Sequence, residues 1–349
     1  MLYRLVLLPS IFTSILDNQP ATYSLVIGLL RQLEQTSVVL VEDLHSMQKV
    51  LDKWPQRFKD SAISILNRLS DQKRIIAVSL SGQSQPVSTS VKQCDPHLRI
   101  VQDYPTKFVV ARQECKGCSV NPTPCFATAR TQLANTLTNI IDINEYTLNN
   151  KLCQTLERRD RFYPPGVGRQ QKFEQEILIP LFRDAARIEL YDRYIGRSIL
   201  ESNADQYQLA LEWILDVFKR ESRLGESGTV KIYTGIFTRP YPNQPLFDRN
   251  RAITAFQNLE ANMRDLLPKF QIFVKEEEQR RQMIHDRFLF TDQIGISIGR
   301  GFNLILDKRS SIFPRRLHDI HISYCTEVQK IRNAFNNLST PFLYQSPNP

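Results

Sequence analysis

The chain has 349 residues, of which 42% are hydrophobic and 23% are charged, and these proportions exclude a chain that is disordered throughout. It contains no apolar run of about eighteen residues, so we expect no helix that crosses a membrane. The formal net charge of +9 favours an anionic partner, either nucleic acid or a phospholipid surface. The apolar start lacks the basic region and cleavage site of a signal peptide and fits a buried strand better, so we expect a cytoplasmic protein.

Residues 1–113 alternate between apolar strands and amphipathic helices. The predicted elements, in chain order, are a strand at 3–8, a helix at 23–35, a strand at 37–41, a helix at 46–71, and strands at 74–80 and 107–111. Strands separated by helices are typical of a parallel sheet with helices packed on it. The sequence therefore predicts a Rossmann-like domain, although it contains neither a GxGxxG motif nor a P-loop.

Acidic side chains follow the second predicted strand of this domain. Glu42 and Asp43 lie at the carboxyl end of that strand, where parallel sheets collect their functional groups. With Asp103 they could bind Mg²⁺ or Mn²⁺, an arrangement that resembles PIN-type nuclease domains. The same carboxylates are common helix caps, and capping is the interpretation that we favour. We interpret the domain as Rossmann-like, with a PIN-like feature at this edge.

Residues 114–172 are predicted to form a connector that contains cysteines and a helix over 126–141. Three of the six cysteines, Cys115, Cys118 and Cys125, have a spacing that is found among metal ligands. A tetrahedral zinc site would need a fourth ligand. Candidates for that ligand are Cys94, His97 and Cys153. The alternative is a turn with surface thiols and no metal, and a single CxxC does not decide between the two.

The second half of the chain again alternates helices and strands. Its predicted elements are a helix at 171–183, a strand at 187–192, a helix at 206–220, a strand at 230–234, a helix at 252–267, a strand at 270–274, a hairpin of strands at 283–291 and 294–298, a strand at 318–324 and a helix at 326–337. This order predicts a second α/β domain over residues 173–340, followed by a tail at 341–349.

The hairpin carries the candidate site, His285-Asp286-Arg287. Alternation along a strand would place His285 and Arg287 on one face, ~7 Å apart. A phosphate between them could be attacked by the imidazole and clamped by the planar guanidinium. The alternative is a structural histidine that pairs with a nearby aspartate, beside an arginine that ties the hairpin down.

This hairpin resembles a known family. The pattern His285-x-Arg287-x4-Asp292 resembles the HxKx4D signature of the phospholipase D superfamily. The sequence Ile-His-Asp-Arg at 284–287, followed by Ile-Gly-Arg-Gly at 298–301, is closer to one branch of it. That branch is the phospholipase-D-like domain found at the C-terminus of MIT-domain proteins.

The resemblance implies roles for residues in two segments. The strand that ends at Tyr191-Asp192-Arg193 looks like the strand that opens the family's domain, and the likeness runs from Phe173 to Phe335. The catalytic residues that it implies are His285, Arg287 and Asp192. The phosphate-binding residues that it implies are Arg300, Tyr191, Arg193 and His321.

Two features depart from the family's pattern. Arg287 stands where the signature has lysine, and it binds phosphate as a two-pronged fork rather than as a point charge. The chain has one such motif, whereas active members pair two, with one histidine as nucleophile and the other as acid. A homodimer, or else His318 or His321, would have to supply the second histidine. The eukaryotic members of this branch are regarded as non-catalytic modules that bind membranes.

By resemblance we expect a metal-independent phosphodiesterase or nuclease that acts as an effector of a prokaryotic conflict or antiviral defence system. Bacterial chains combine this domain with a Rossmann-like or PIN-like one, and nucleic acid or another polyanion would be the partner. The alternative is a non-catalytic adaptor that binds an anionic surface, phospholipid or nucleic acid, or the partner proteins of such a system. Zinc at the cysteine cluster is the only cofactor that the sequence indicates.

Overall fold

A computed structural model of the chain describes residues 3–7, 10–13, 20–41, 44–77, 108–111, 139–157, 160–165, 167–200, 204–237, 247–277, 282–299, 301–302, 305–306, 319–325, 327–338 and 341–347. The chain divides into two compact units, an N-terminal unit of residues 2–158 and a C-terminal unit of residues 159–349. The division falls inside the stretch that the sequence predicts to be a connector. Among the described residues, no helix is both long enough and apolar enough to cross a lipid bilayer.

The N-terminal unit contains a sheet of five parallel strands. These are β1 (Tyr3–Leu7), β2 (Ser37–Val41), β3 (Ile75–Ala77), β4 (Phe108–Ala111) and β5 (Asn139–Asp142), in the order β3-β2-β1-β4-β5. The helices are α1 (Ser10–Thr13), α2 (Pro20–Thr36), α3 (Leu44–Leu51), α4 (Gln56–Asp71) and α5 (Asn150–Glu157), with a 3-10 helix at Ile143–Leu148. The predicted parallel sheet is confirmed.

Helix α2 shows why the alternating pattern folds in this way. Val26, Leu30 and Leu33 recur at helical spacing and are buried, so one face of the helix packs into the core of the unit. Arg74, which is also buried, donates to the backbone carbonyls of Leu33 and Glu34 at the end of α2. A cation at this end satisfies carbonyl groups that the helix leaves unpaired.

Strand β5 corrects the sequence prediction, which extends a helix over 126–141. Asn139–Asp142 instead pairs with Phe108–Ala111 as a parallel strand. Two adjacent β-branched residues, Ile140 and Ile141, favour an extended backbone, and pairing with a buried neighbouring strand decides the outcome. Residues 126–138 lie outside the described part of the chain.

The C-terminal unit contains a mixed sheet of eight strands. These are β6 (Asp160–Tyr163), β7 (Arg187–Tyr191), β8 (Thr229–Phe237), β9 (Phe270–Glu277), β10 (Arg287–Thr291), β11 (Gly295–Ile298), β12 (Ile320–Cys325) and β13 (Tyr344–Gln345), in the order β13-β9-β8-β7-β10-β11-β12-β6. The helices are α6 (Arg169–Phe173), α7 (Ile179–Phe182), α8 (Arg193–Leu200), α9 (Ala204–Glu221), α10 (Arg249–Leu266) and α11 (Val328–Asn336). A π-helical turn, Glu174–Leu178, joins α6 to α7, and a 3-10 turn, Gly225–Ser227, precedes β8. Strands β7, β8 and β9 are mutually parallel, and the other pairs are antiparallel.

Neither edge strand of this sheet is predicted from the sequence. Strand β6 pairs with β12, and β13 pairs with β9. Strand β13 lies in the predicted tail, where the hydroxyl of Ser346 donates to the buried carboxylate of Glu260 at 2.7 Å. Both strands are short and partly polar, so neither has the apolar alternation by which strands are recognised.

The sheet brings two distant segments together at one edge. The carboxyl ends of β7, β8 and β9 lie at this edge because the three strands are parallel, and β10 begins there because it is antiparallel to β7. Phe288 lies opposite Tyr191, so the adjoining residues Arg287 and Asp192 are neighbours. Ligands of α/β sheets bind at the edge formed by the carboxyl ends of the strands.

Candidate functional site

A buried ion pair lies where β7 ends and β10 begins. Nε of Arg287 is 3.6 Å from Oδ1 of Asp192. The two residues are 8% and 1% exposed, so the pair is almost wholly removed from solvent. A charge that is buried in this way is costly unless a partner compensates it, and each residue therefore constrains the position of the other.

Asp192 also starts helix α8. Its Oδ1 accepts a hydrogen bond of 2.8 Å from the backbone N–H of Tyr194, as an N-cap residue does. The hydroxyl of Thr234 on β8 donates to the backbone carbonyl of Asp192 at 2.7 Å and accepts from the N–H of Gly196 at 2.9 Å. These bonds fix the first turn of α8, and with it Tyr194, against the sheet.

Tyr194 contacts both candidate residues of the motif, His285 and Arg287. Its ring lies on the guanidinium of Arg287, whose Cζ is 4.4 Å from the ring centroid. Its hydroxyl is 2.5 Å from Nε2 of His285, which is an exposed residue. One aromatic side chain therefore connects the exposed imidazole to the buried cation.

Tyr207 of α9 also interacts with the ion pair of Asp192 and Arg287. Its hydroxyl is hydrogen-bonded to the side chains of Ser198 and Arg287, and burial, together with the charge of Asp192, raises its pKa. We refer to five residues as the Tyr194 cluster: Asp192, Tyr194, Tyr207, His285 and Arg287. In the part of the chain that the structure describes, no group hydrogen-bonds to Oδ2 of Asp192 or to Nε of Arg287, and both atoms are buried. Buried polar atoms without partners are a feature of sites that bind ligands or perform chemistry.

The sequence predicts that His285 and Arg287 lie on one strand, and the structure differs. Strand β10 begins at Arg287 and not at residue 283, and His285 lies in the bend before it. The backbone N–H of Met283 donates to the buried carboxylate of Glu277 at 3.1 Å, so a side chain, rather than a neighbouring strand, holds this segment. Strand alternation therefore does not place His285, whose described contact with the site is the hydroxyl of Tyr194.

Folding stability is expected to depend on the protonation of Asp192. Burial raises the pKa of this carboxyl to about 6, although Arg287 and the N–H of Tyr194 oppose the rise. The unfolded chain releases the same proton near pH ~4, so between these values only the folded state holds it. The stability that this group contributes is present below pH ~4 and is lost as the pH rises through about 6. Tyr207 also faces the carboxyl, and it stays protonated throughout this range because burial raises its pKa.

The variant Asp192→Asn keeps an acceptor for the N–H of Tyr194 but does not titrate. We expect the free energy of unfolding of the wild type, relative to this variant, to fall by about 2–3 kcal/mol between pH 4 and pH 7.5. Urea denaturation at a series of pH values measures this difference. A difference that stays constant over the range would show that Asp192 does not titrate there.

Two of the predicted phosphate-binding residues are engaged by other groups of the protein. Tyr191 stacks on Tyr233, with ring centroids 4.4 Å apart, in the apolar layer under α11. Successive residues of an extended chain face opposite sides of a sheet, so Tyr191 and Asp192 diverge. Arg193 forms an ion pair of 2.6 Å with the buried carboxylate of Glu277, which compensates its charge within the protein.

His321 lies elsewhere on the sheet. Its ring stacks on Phe162, with centroids 4.6 Å apart, and its Nε2 is 3.6 Å from Oδ1 of Asp160. The next residue, Ile322, is in register with Arg287 through β11, so His321 faces the opposite side of the sheet. Two strand spacings, ~10 Å, separate β12 from β10. The structure therefore does not bring His321 to His285.

Several predicted site residues cannot be placed. These are the phosphate-binding residue Arg300, the cysteines Cys115, Cys118 and Cys125, and the acidic residues Glu42, Asp43 and Asp103, all of which lie outside the described residues. Within the described ranges, no group of three or more His, Cys, Asp or Glu residues is arranged to hold a metal ion. The zinc site and the PIN-like acidic site stay predictions.

Three residues of the site and its support, Tyr207, Ser198 and Glu277, are not predicted from the sequence, which also indicates no role for Tyr194. A signal for Tyr194 exists, since an aspartate directly after an apolar strand predicts an N-cap, and an N-cap bonds the N–H two positions later. No comparable signal marks Tyr207 or Glu277. They come from α9 and β9, and only the packing of those elements brings them to the site.

No protein-family model matches the chain, and no curated protein matches it in sequence. The function is therefore inferred from the chemistry of the site. That chemistry consists of an exposed imidazole, a phenol in contact with it, and a buried guanidinium under the phenol ring.

Proposed function

We propose that the C-terminal unit binds phosphodiesters at the Tyr194 cluster and hydrolyses them by metal-independent chemistry. The observation that carries this proposal is the contact of Tyr194 with both His285 and Arg287. Tyr194 thus contacts an imidazole, which can accept a proton, and a guanidinium, whose positive charge can stabilise negative charge. Both are needed when a nucleophile attacks a phosphodiester and charge develops on its oxygens.

The sequence also supports phosphodiester chemistry and a nucleic-acid substrate. The likeness of residues 284–301 to phospholipase-D-like domains favours the same chemistry, and the net charge of +9 favours nucleic acid as the substrate. We further propose that the N-terminal unit is Rossmann-like, because its strand order, β3-β2-β1-β4-β5, matches five strands of the doubly wound order. The combination of these two domains supports an effector role in a prokaryotic defence system.

A non-catalytic adaptor is the second candidate. Arg287 is buried, faces Asp192 and is covered by the ring of Tyr194, so it can hold the hairpin in place without contacting a ligand. An adaptor would bind polyanions through exposed cations such as Arg197, which lies one helical turn after Tyr194. Such binding would weaken steeply as the salt concentration rises.

Cleavage of labelled single-stranded and double-stranded DNA and RNA by the full chain, with and without EDTA, tests the proposal. We expect cleavage that resists EDTA, and we expect the variant His285→Ala to lower its rate by at least about 100-fold, because it removes the proton acceptor. The matched control is His45→Ala, which removes an exposed histidine from α3 of the N-terminal unit and should leave the rate unchanged.

Each other outcome would indicate a different site or function. Full activity in His285→Ala would remove the Tyr194 cluster as the active site. Cleavage that EDTA abolishes would move the activity to a metal site, such as the acidic residues of the N-terminal unit. Salt-sensitive binding without any cleavage would establish the adaptor.

A further inference from the structure

The Tyr194 hydroxyl and the His285 imidazole are within hydrogen-bonding distance, with Oη 2.5 Å from Nε2. The tautomer of the imidazole sets the direction of this bond: when the ring proton is on Nδ1, Oη donates and Nε2 accepts. In that tautomer the lone pair of Nε2 is engaged, whereas Oη keeps lone pairs that an electrophile can meet.

Arg287 lies against the ring of Tyr194. Its Cζ is 4.4 Å from the ring centroid, and Arg287 is 8% exposed, so water screens its charge little. A cation over the face of an aromatic ring attracts the ring and holds it in place. Asp192 offsets part of the charge of Arg287, because its carboxyl lies 3.6 Å from Nε of Arg287. Asp192 contacts Tyr194 through the backbone, since Oδ1 of Asp192 accepts a hydrogen bond from the backbone N–H of Tyr194.

The position of Tyr194 is fixed from three sides. Its backbone is held by Asp192 at the start of α8, its ring rests on Arg287, and its hydroxyl contacts His285. A hydroxyl nucleophile held within hydrogen-bond reach of a base is the arrangement by which proteins activate such nucleophiles. By contrast, Nε2 of His285 can attack phosphorus only if Tyr194 first moves away from it.

We infer that Tyr194 is the nucleophile of the phosphodiester hydrolysis proposed above, with His285 as its general base; this inference rests on that proposed function. In the first step Oη of Tyr194 bonds to phosphorus and its proton passes to Nε2 of His285. The bond from phosphorus to the leaving alcohol breaks, the alkoxide takes a proton from solvent, and His285 returns its proton to solvent. The product of this step is a phosphotyrosyl diester.

In the second step water attacks the phosphorus of the phosphotyrosyl diester. His285 takes the proton of the water, the bond from phosphorus to Oη breaks, and the proton passes to the phenolate. The sum of the two steps is hydrolysis of one phosphodiester by one water molecule, and no metal or redox partner takes part in either step.

The chemical stability of the covalent intermediate separates the two nucleophiles. A phosphorylated histidine contains a P–N bond that breaks in acid, whereas a phosphorylated tyrosine contains a P–O ester bond that survives it. Bis(p-nitrophenyl) phosphate is a suitable probe, because its good leaving group makes the first step fast and lets the intermediate accumulate as a burst of nitrophenolate. The reaction is run on the full chain in EDTA, quenched in acid and analysed by mass spectrometry.

We expect an acid-stable adduct on the peptide that contains Tyr194. The variant Tyr194→Phe should lose both the adduct and the burst, and its rate should fall by at least about 100-fold. The matched control is Tyr324→Phe, near the C-terminal end of β12. It removes a buried hydroxyl that has no hydrogen-bond partner among the described residues.

The outcomes distinguish this inference from the function on which it rests. An acid-labile adduct on His285, the absence of an acid-stable adduct, or full activity in Tyr194→Phe would overturn the role of Tyr194, while hydrolysis that depends on His285 would uphold the proposed function. No hydrolysis by the wild type, of this probe or of nucleic acid, would overturn both.

Discussion

Replacement of Arg287 by alanine is expected to lower the free energy of unfolding of the C-terminal unit by about 4 kcal/mol at pH 7.5. The substitution leaves the carboxylate of Asp192 buried without its cation. It also removes the surface on which the ring of Tyr194 rests and a hydrogen-bond partner of Tyr207. Removal of one partner from a buried pair is costly because the other charge stays behind in a medium of low polarity.

The loss should shrink as the pH is lowered. Without Arg287 the pKa of Asp192 rises further, because Arg287 is the main group that lowers it. At pH 5 the carboxyl of the variant is protonated and no longer an uncompensated charge, so the destabilisation should be smaller than at pH 7.5. An added Asp192→Asn substitution should recover part of the stability at pH 7.5 for the same reason.

Urea denaturation followed by the fluorescence of Trp213 measures this effect. The chain has two tryptophans, so a Trp54→Phe background leaves Trp213 of α9 as the reporter of the C-terminal unit. The matched control is Arg249→Ala, an arginine that is 55% exposed and 3.5 Å from Glu276, for which we expect a loss of at most about 1 kcal/mol. Equal losses in Arg287→Ala and Arg249→Ala would contradict a special role for the buried pair.

The second large effect is expected from Gly196→Ala, with a loss of about 3 kcal/mol. A Cβ atom at this position would lie 2.7 Å from the backbone carbonyl oxygen of Gly235 and 3.1 Å from Oγ1 of Thr234. A backbone carbonyl cannot turn away as a flexible side chain can, so α8 must move off β8. Alanine stabilises a helix by about 1 kcal/mol more than glycine does. The expected loss is what remains after this gain is subtracted from the cost of the clash.

The displacement should reach the site as well as the fold. Tyr194 lies two residues before Gly196 on α8, so a shift of the helix moves its hydroxyl relative to His285. We therefore expect Gly196→Ala to slow the proposed phosphodiester hydrolysis in addition to destabilising the unit. The control is Gly299→Ala, whose added Cβ would make ordinary contacts of 3.7 and 3.8 Å with His321 and should change the stability by less than about 1 kcal/mol. A variant at Gly196 as stable as this control would show that α8 and β8 do not approach so closely.

Periodicity in the sequence predicts the long elements. Apolar positions at helical spacing predict α2, α4, α9 and α10, and apolar runs predict β1, β2, β7, β8 and β9. The α/β class of both units, with a parallel sheet in the first, follows from their order and is confirmed. These elements are predictable because each carries an apolar stripe of its own, which has to be buried whatever the rest of the chain does.

Other elements depend on a partner that the local sequence does not reveal. Strands β5, β6 and β13 are short, and each exists because a neighbouring strand offers it unpaired hydrogen-bonding groups. The predicted extension of β10 back to residue 283 is wrong for a similar reason. The carboxylate of Glu277, from another strand, bonds the backbone N–H of Met283 and takes that segment out of strand pairing.

The sequence by itself indicated a candidate phosphate site, since an imidazole and a guanidinium two positions apart, His285 and Arg287, are visible without any structure. Only the tertiary structure decided how they meet. The register of β10 against β7 places Arg287 beside Asp192, and the start of α8 places Tyr194 between Arg287 and His285. The physical reason is that local periodicity fixes only the face on which a side chain lies, whereas contacts between residues almost a hundred positions apart depend on the packing of whole elements.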